Sequence, residues 1–402
     1  MRADIRQYLV VTGNYWAFTL TDGALRMLIV LHFYQLGYTP LAIASLFLFY
    51  EFFGIVTNLV GGWLGARLGL NKTMNIGLLL QIIALSMLLV PADALTVLWV
   101  MAAQALSGIA KDLNKMSAKS AIKLLLPDNA HSALYNWVAL LTGSKNALKG
   151  VGFFLGGLLL SLLGFAGAVG AMAAALLLVW LLSLLLLKRD LGKTQFKPKF
   201  SQLLSKSPAL NTLSAARLFL FAARDVWFVI ALPLYLASQF NWPHSAVGSF
   251  LACWVIGYGI VQALAPHLTG NSKQQAPGAT TLFYWALLLC PLPLLITLAI
   301  SYSAYALVWL IAGLLLFGAV FAINSALHSY FIVQLARADG VSLDVGFYYM
   351  ANAAGRLLGT VLSGWAYQQW GMAACLLLSC ALLMAAVACS WRLTNVKADA
   401  GD

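Results

Sequence analysis

The sequence predicts an all-α integral membrane protein with 12 transmembrane helices in two pseudo-symmetric six-helix bundles. Of its 402 residues, 62% are hydrophobic and only 9% are charged, whereas soluble domains carry about 25% charged residues. Apolar runs of about 18 residues or more, long enough to cross a bilayer as a helix, recur along the whole chain. These runs are rich in Leu and Ala and do not alternate with polar residues, which favours helices over the strands of a barrel.

The apolar runs define twelve predicted spans joined by short connections. Their approximate limits are 8–34, 41–65, 72–90, 95–118, 138–162, 168–187, 209–237, 245–267, 279–299, 304–335, 344–366 and 371–391. The first run is too long for the core of a signal peptide, so we interpret it as span 1. All five cysteines lie inside apolar runs without a Cys-x-x-Cys pair, which indicates packing residues and predicts no metal site.

Lysine and arginine residues predict the orientation of the spans. They occur before span 1, in every second connection and after span 12, whereas the six connections on the opposite face contain none. By the positive-inside rule, both termini are cytoplasmic. The net charge of +12 is therefore explained by membrane topology, and we predict no nucleic-acid partner.

An internal repeat divides the chain into halves. A shift of 203 residues aligns Asp22 with Asp225, and it also aligns Gly152 with Gly355 and Gly156 with Gly359. We therefore predict an N-terminal six-helix bundle over 1–187, a basic cytoplasmic linker over 188–208 and a C-terminal bundle over 209–402.

Two parallel six-helix halves joined by a basic linker resemble the major facilitator superfamily fold, which implies a substrate cavity between the halves near the membrane midplane. The segment Gly62-Trp-Leu-Gly-Ala-Arg-Leu-Gly69 resembles the loop motif of that superfamily, with Ala66 at the position of its usual Asp. Gly152-Phe-Phe-Leu-Gly-Gly157 resembles its antiporter motif, but close helix packing through small residues explains the same pattern.

Ionisable residues at membrane depth are costly and indicate function. At membrane depth, away from the ends of the predicted spans, we count eight cations and four anions: Arg26, Lys111, Lys115, Lys145, Lys149, Arg217, Arg224 and Arg356 against Asp22, Glu51, Asp112 and Asp225. Because a buried cation requires a counter-ion, which a bound substrate can supply, the excess predicts a cavity that selects anions. We interpret Lys119 and Lys123, nearer the cytoplasm, as positive-inside anchors, and Lys115 also has the reach to extend to the interface.

Arg26 in span 1 and Arg224 in span 7 lie at nearly equivalent depths in the two halves. This resembles the organophosphate antiporters, in which one arginine from each of those helices holds a phosphate. Planar guanidinium groups suit the oxygens of phosphate or arsenate, and lysines add point charges. The predicted substrate-binding residues are Arg26, Arg224, Arg356, Lys145, Lys149, Lys111, Arg217, Asn14, Tyr15, Asn146 and Asn352.

Three carboxylates are candidates for proton coupling. Glu51 has no cation near it in the sequence, so the membrane interior favours its neutral form and it is our first candidate. Asp22 precedes Arg26 by four residues and Asp225 directly follows Arg224. These two carboxylates either compensate the charge of the empty cavity or take up protons when an anion binds.

Four strings are similar to the organoarsenical efflux permease family, ArsJ. They are Asn14-Tyr-Trp-Ala-Phe-Thr-Leu-Thr-Asp-Gly-Ala-Leu-Arg26, Ser107-Gly-Ile-Ala-Lys-Asp-Leu-Asn-Lys-Met-Ser-Ala-Lys119, Thr142-Gly-Ser-Lys-Asn-Ala-Leu-Lys-Gly150 and Ala223-Arg-Asp-Val-Trp-Phe228. The resemblance covers nearly the whole chain. It implies secondary-active export of 1-arseno-3-phosphoglycerate across a bacterial inner membrane, for arsenate resistance, beside a glyceraldehyde-3-phosphate dehydrogenase that makes the ester.

Two alternatives stay open at the level of sequence. The first is transport of another phosphorylated or organic anion, and the second is a membrane sensor that does not transport. The sensor is disfavoured because the chain offers no sizeable hydrophilic segment as an output module. No nucleotide loop or nucleophile triad occurs, so we predict neither an enzyme nor a cofactor. We expect a monomer in the lipid bilayer that binds a small anionic substrate.

Overall fold

The computed structural model describes residues 2–38, 46–125, 130–187, 207–270, 276–337 and 340–396, together with Ile43. Within these residues, the regular structure is helical and contains no strand. The predicted linker over 188–208 lies outside the described residues, apart from Ser207 and Pro208.

Twelve membrane crossings can be assigned within the described part of the chain, as the sequence predicts. The helices that form them are Arg2–Gln35, Leu48–Leu68, Leu70–Met87, Val97–Leu125, His131–Leu186, Pro208–Phe228, Ala231–Phe240, His244–Leu268, Ala279–Leu289, Leu292–Tyr302, Ala306–Leu335 and Val341–Val396. Pro208–Phe228 and Ala231–Phe240 together form span 7, and Ala279–Leu289 and Leu292–Tyr302 together form span 9. His131–Leu186 contains spans 5 and 6, and Val341–Val396 contains spans 11 and 12.

Single glycines divide each of the two longest helices into two spans. At about 1.5 Å per residue, a helix of 56 residues is far longer than a bilayer core of about 30 Å. The backbone of Gly164 has φ 66° and that of Gly371 has φ 74°. Only glycine adopts this left-handed region readily, so the chain can reverse within one residue.

Proline accounts for the breaks inside spans 7 and 9. Pro233 lacks the N–H that would bond to the carbonyl of Val229, and its ring crowds that carbonyl, so the first helix ends at Phe228. Pro291 stands at the junction of Ala279–Leu289 and Leu292–Tyr302. Both interruptions fall inside segments that the hydropathy pattern predicts as continuous spans.

Length and hydropathy separate the crossings into two groups. Among the described residues, seven helical stretches are apolar and long enough to cross a membrane, and two of them are the long helices divided at Gly164 and Gly371. The other three crossings, Arg2–Gln35, Leu48–Leu68 and Val97–Leu125, are long enough but are not among those seven. Most of the first basic cluster described below lies on them.

Packing contacts group the chain into two compact units. The first unit consists of Met1–Ala130, Ser144–Leu204 and Ala336–Met350, and the second of His131–Gly143, Ser205–Leu335 and Ala351–Asp402. The first residues of span 5 thus belong with the second unit, and the first residues of span 11 with the first. The sequence-based division at 188–208 stays a prediction.

Glycines of span 5 let it approach span 1 closely in the first unit. A Cβ added to Gly152 would lie 2.7 Å from the carbonyl oxygen of Leu20, and one added to Gly156 would meet the carbonyl oxygen of Ala24. The backbones are therefore in contact, which requires glycine at both positions. The glycine pattern of span 5 serves close helix packing, one of its two interpretations from sequence.

The second unit repeats this crossing with a different register. A Cβ added to Gly355 would meet the carbonyl oxygen of Leu218, and one added to Gly359 would lie 2.6 Å from that of Ala222. The glycines of spans 5 and 11 differ by 203 in residue number. The residues that they contact, Leu20 and Leu218 or Ala24 and Ala222, differ by only 198.

The register difference identifies which charged residues are equivalent. Arg26 follows Ala24 by two residues, and Arg224 follows Ala222 by two residues. The two arginines therefore occupy the same place relative to the helix crossing in each unit. Asp22 and Asp225, which the 203-residue shift aligns, do not.

Candidate functional site: two basic clusters

Tyr50 is the centre of a charged cluster in the first unit, which we call cluster 1 and define by Arg26, Glu51, Tyr50, Asp22, Lys149, Lys111, Asp112 and Lys115. The Tyr50 hydroxyl donates a hydrogen bond of 2.7 Å to Oδ1 of Asp22. Its buried ring lies between two cations, with Lys111 Nζ at 3.8 Å and Arg26 Cζ at 4.9 Å from the ring centroid. Cation–π attraction to the one ring stabilises both of these like charges.

The carboxylates of cluster 1 bring together residues from four spans. Asp22 Oδ2 lies 3.8 Å from Lys149 Nζ, which joins span 1 to span 5. Asp112 Oδ1 accepts a 2.6 Å bond from Lys115, and its Oδ2 lies 3.7 Å from Lys111 Nζ. Adjacent residues on a helix point to different faces, but the long side chain of Lys111 brings its ammonium group within reach of Asp112.

Glu51 and Arg26 form an ion pair between spans 2 and 1. The Arg26 Nη2 atom donates to Glu51 Oε1 at 3.2 Å. The Glu51 side chain is 28% exposed, in contrast to the buried Asp22 and Asp112. Glu51 is therefore a partly exposed carboxylate of this cluster, and it pairs with an arginine 25 residues away in the sequence.

Asp225 is the centre of the charged group in the second unit, which we call cluster 2 and define by Arg217, Arg224, Asp225 and Arg356. Oδ1 of Asp225 accepts a hydrogen bond from Arg224 Nε at 2.6 Å, and Oδ2 accepts one from Arg356 Nε at 3.3 Å. The carboxylate is 1% exposed, whereas the arginines are 15% and 30% exposed. One buried anion thus holds two arginines, one from span 7 and one from span 11.

Arg217 is buried in a network of neutral groups. Its Nε donates to Oδ1 of Asn352 at 2.9 Å, and its Nη1 donates to the hydroxyl and the carbonyl oxygen of Ser325 at 3.1 and 3.3 Å. Gln262 donates to the same hydroxyl at 3.1 Å. The network joins spans 7, 8, 10 and 11, and it fixes Arg217 and Asn352, both predicted from sequence, in one place.

Cluster 2 also has an aromatic ring that two cations share. Arg217 Cζ lies 3.9 Å and Arg224 Cζ lies 4.8 Å from the centroid of Phe221. Phe221 therefore contacts two arginines, as Tyr50 contacts Arg26 and Lys111. Neither ring is charged near neutral pH, so a search of the sequence for charged residues does not find Tyr50 or Phe221. Each ring nevertheless lies within four residues of a predicted arginine or carboxylate.

The remaining predicted residues lie on the same helices but have different surroundings. Asn14 donates to the Ser183 hydroxyl at 2.8 Å, an interhelical contact between spans 1 and 6. Tyr15 is buried, and its hydroxyl has no hydrogen-bond partner in the described part of the chain. Lys145 and Asn146 are half-buried on span 5. Their assignment to substrate binding stays a prediction.

The structure does not support the interpretation of Lys119 and Lys123 as surface anchors. Lys119 is 2% exposed, and its ammonium group lies 5.3 Å from the ring centroid of Tyr349. Lys115 lies 4.6 Å from the same ring, and Lys123 donates to the carbonyl oxygen of Ala336. The three lysines, spaced one helical turn apart, all bind the segment Ala336–Met350 inside the first unit.

These features define a polytopic helical membrane protein with basic polar clusters at membrane depth. Residues 11–227 match the Major Facilitator Superfamily. The match covers more than half of the chain, and the chain therefore belongs to this superfamily. It is a multi-pass membrane transporter of small molecules rather than an enzyme. No curated protein sequence matches it significantly.

Solved structures of transporters share the fold over almost the entire chain. A bacterial homologue of the iron transporter ferroportin in an outward-facing state has a TM-score of 0.76 at 12% identity, covering 98% of this chain and 100% of that one. The E. coli fucose:proton symporter FucP has a TM-score of 0.75 at 13% identity, covering 97% and 99%. The human organic anion transporter MFSD10 (TETRAN) has a TM-score of 0.74 at 16% identity, covering 97% and 99%. At these identities the likeness concerns the fold alone.

Proposed function

We propose that the protein is a secondary-active transporter of organic anions, and that its substrate is the organoarsenical ester 1-arseno-3-phosphoglycerate, which it exports. The observation that carries the anion class is the excess of cations in each unit. Away from the ends of the predicted spans, the first unit has Arg26, Lys111, Lys115, Lys145 and Lys149 against three carboxylates, and the second has three arginines against Asp225. Each unit therefore has two more positive than negative charges at membrane depth.

The donor chemistry suits tetrahedral oxyanions. Arg224, Arg356 and Arg26 present guanidinium groups, whose planar forks match the paired oxygens of phosphate or arsenate. Pentavalent arsenic in such an ester is bound through its oxygens, and thiolate ligands are unnecessary. The ester carries two anionic groups, and arginine donors suit a group of this kind.

The specific cargo rests on the resemblance of four segments to the organoarsenical efflux permeases. This resemblance also supports a location in a bacterial inner membrane and a functional link to a glyceraldehyde-3-phosphate dehydrogenase that produces the ester. The distribution of Lys and Arg in the loops supports cytoplasmic termini. We propose that the transporter works as a monomer.

Coupling to protons is part of the proposal. Glu51 is the first candidate because it is partly exposed and forms an ion pair with Arg26. A proton on Glu51 would free the guanidinium group for an anion. Asp22 and Asp225 are the other candidates, but both are buried among their partners.

Everted membrane vesicles test the proposed function directly. Vesicles that contain the protein should accumulate the freshly synthesised ester in a manner that depends on the proton gradient, and vesicles without the protein should not. Equal uptake in the two preparations contradicts the proposal.

Transport of another phosphorylated anion is the second candidate, since guanidinium donors suit any phosphate ester. Uptake of 3-phosphoglycerate and of a sugar phosphate in the same vesicles separates the two. Preference for either over the arseno-ester would retain the anion class and reject the arsenical cargo.

A further inference from the structure

The arrangement around Asp225 suggests a role beyond compensating the charge of two arginines. Both carboxylate oxygens are engaged, one by Arg224 and one by Arg356. These arginines come from different spans, so the carboxylate defines the distance between two guanidinium groups. Both guanidinium groups are partly exposed while the carboxylate is buried. The arginines are therefore more accessible to an anion than the carboxylate to which they donate.

Asp225 stands on the crossing of spans 7 and 11. A Cβ added to Gly359 of span 11 would lie 2.9 Å from the Cβ of Asp225. Arg224 and Arg356 both donate to its carboxylate. An incoming anion that binds these arginines therefore shares them with Asp225.

We propose that Asp225 sets the release of the transported anion: its fixed charge weakens the hold of Arg224 and Arg356 on a phosphate-like group enough for that group to leave. This rests on the proposed function as an anion transporter. Tight binding of a multiply charged anion to two unopposed arginines would slow release, and a transporter must bind its substrate weakly enough to let it go. Asp225 acts through the two arginines and is a positioning residue.

The test compares binding and turnover in purified full-length variants, with inorganic phosphate as the binding probe in calorimetry. Asp225→Asn should lower the Kd for phosphate by about tenfold, which corresponds to about 1.4 kcal/mol, and should lower the maximal rate of ester uptake in vesicles. Asp225→Glu keeps the charge and should restore both values toward those of the unchanged protein. A purely structural role of Asp225 would raise the Kd in both variants.

Asp344→Asn is the matched control. Asp344 also binds an arginine, since Arg337 donates to it at 3.3 Å, but that arginine is largely exposed and lies in the first unit outside cluster 1. Its removal should leave the Kd for phosphate unchanged. An equal decrease of the Kd in this variant would show that any lost carboxylate tightens binding, and it would overturn the specific role of Asp225.

A second comparison keeps the test decisive if Asp225→Asn does not fold, which is a concern because it leaves two arginines without their buried anion. Arg356→Gln removes one arginine, and the double variant with Asp225→Asn has the same net charge in cluster 2 as the unchanged protein. The double variant should bind phosphate more tightly than Arg356→Gln alone. Equal or weaker binding would overturn the proposal.

The experiments test the release role of Asp225 and the identity of the transported ester separately. If the unchanged protein does not transport the arseno-ester but Asp225→Asn binds phosphate more tightly, the release role holds and the named substrate is wrong. If the ester is transported and the Kd for phosphate does not fall, the release role is wrong and the proposed function holds.

Discussion

Arg224 combines a charge-assisted hydrogen bond with contacts to three aromatic rings. It donates to Asp225, and its Cζ lies 4.8 Å from the centroid of Phe221, 5.4 Å from that of Phe321 and 5.8 Å from that of Phe228. The rings restrict the guanidinium group, so little side-chain entropy is lost when it binds an anion. A residue restricted in this way is suited to recognition.

Replacing Arg224 should remove transport without removing the protein. A charge-assisted hydrogen bond contributes about 1.5–3 kcal/mol, so Arg224→Gln should reduce ester uptake in vesicles by about tenfold or more. Arg392→Gln is the control because that arginine is exposed near the end of span 12. Immunoblotting should show equal amounts of both variants in the membrane. Unchanged uptake in Arg224→Gln would exclude Arg224 from the site.

A substitution of Glu51 tests the proposed coupling of transport to protons. Its carboxylate is partly exposed and pairs with Arg26 at 3.2 Å. Glu51→Gln cannot exchange a proton but retains the size of the side chain and an acceptor oxygen. We expect this variant to lose uptake driven by a proton gradient, while exchange of labelled for unlabelled substrate continues without a gradient. Glu51→Asp should retain both activities, and gradient-driven uptake by Glu51→Gln would assign coupling to another group.

The charged residues of both clusters could be predicted from the sequence, because ionisable groups are rare in apolar spans and stand out there. Their pairing could not. Glu51 and Arg26 are 25 residues apart and Asp225 and Arg356 are 131 apart, and such pairs depend on which helices pack together. The sequence repeat also misleads at this scale, because it aligns Asp22 with Asp225 whereas the packing makes Arg26 and Arg224 equivalent.

At the scale of whole helices, span 4 holds the beginning of span 11 through a row of lysines. Lys115 and Lys119 lie near the ring of Tyr349, and Lys123 bonds to the Ala336 carbonyl oxygen. Ala66, which stands where the superfamily's loop motif has Asp, is buried and packs with Leu343 of the same segment. Apolar packing of span 2 and lysines of span 4 therefore jointly hold Ala336–Met350.

Lys119 should consequently matter for stability more than its position near the cytoplasm suggests. Cation–π contacts contribute about 0.5–2 kcal/mol, and Lys119→Gln also leaves a buried polar side chain without its ring contact. We expect a lower melting temperature in detergent than for Lys72→Gln, which changes an exposed lysine. Equal melting temperatures would restore the interpretation of Lys119 as a surface anchor. The positive-inside pattern cannot distinguish the two roles, because it counts lysines without regard to the helix face they occupy.

Helix boundaries show a similar division between what sequence predicts and what it misses. The reversal at Gly164 falls in a predicted connection, and that at Gly371 falls on the first residue of predicted span 12, because glycine is the residue that a single-residue reversal requires. The breaks near Pro233 and Pro291 interrupt predicted spans. An apolar run remains apolar through a kink, so hydropathy detects the crossing but not its interruption.

Across the whole molecule, charge identifies the class of substrate better than shape does. The fold is shared with proteins described as a fucose:proton symporter, a ferroportin homologue and an organic anion transporter at 12–16% identity. A scaffold shared by such different proteins carries little information about cargo. The eight cations and four anions in the spans belong to this sequence in particular, and they supply the argument for anions.

We therefore expect the whole transporter to select anionic substrates over neutral ones. An excess of two positive charges in each unit leaves the membrane-depth helices electrostatically unbalanced until an anion enters. A neutral sugar offers hydroxyl groups but no charge, so it cannot offset that excess. In vesicles, we expect uptake of the arseno-ester and of phosphate esters but none of fucose, with vesicles lacking the protein as the control. Fucose uptake at a rate comparable to that of the esters would mean that the charges of both clusters are already balanced within the protein, and the argument from cation excess to anion transport would fail.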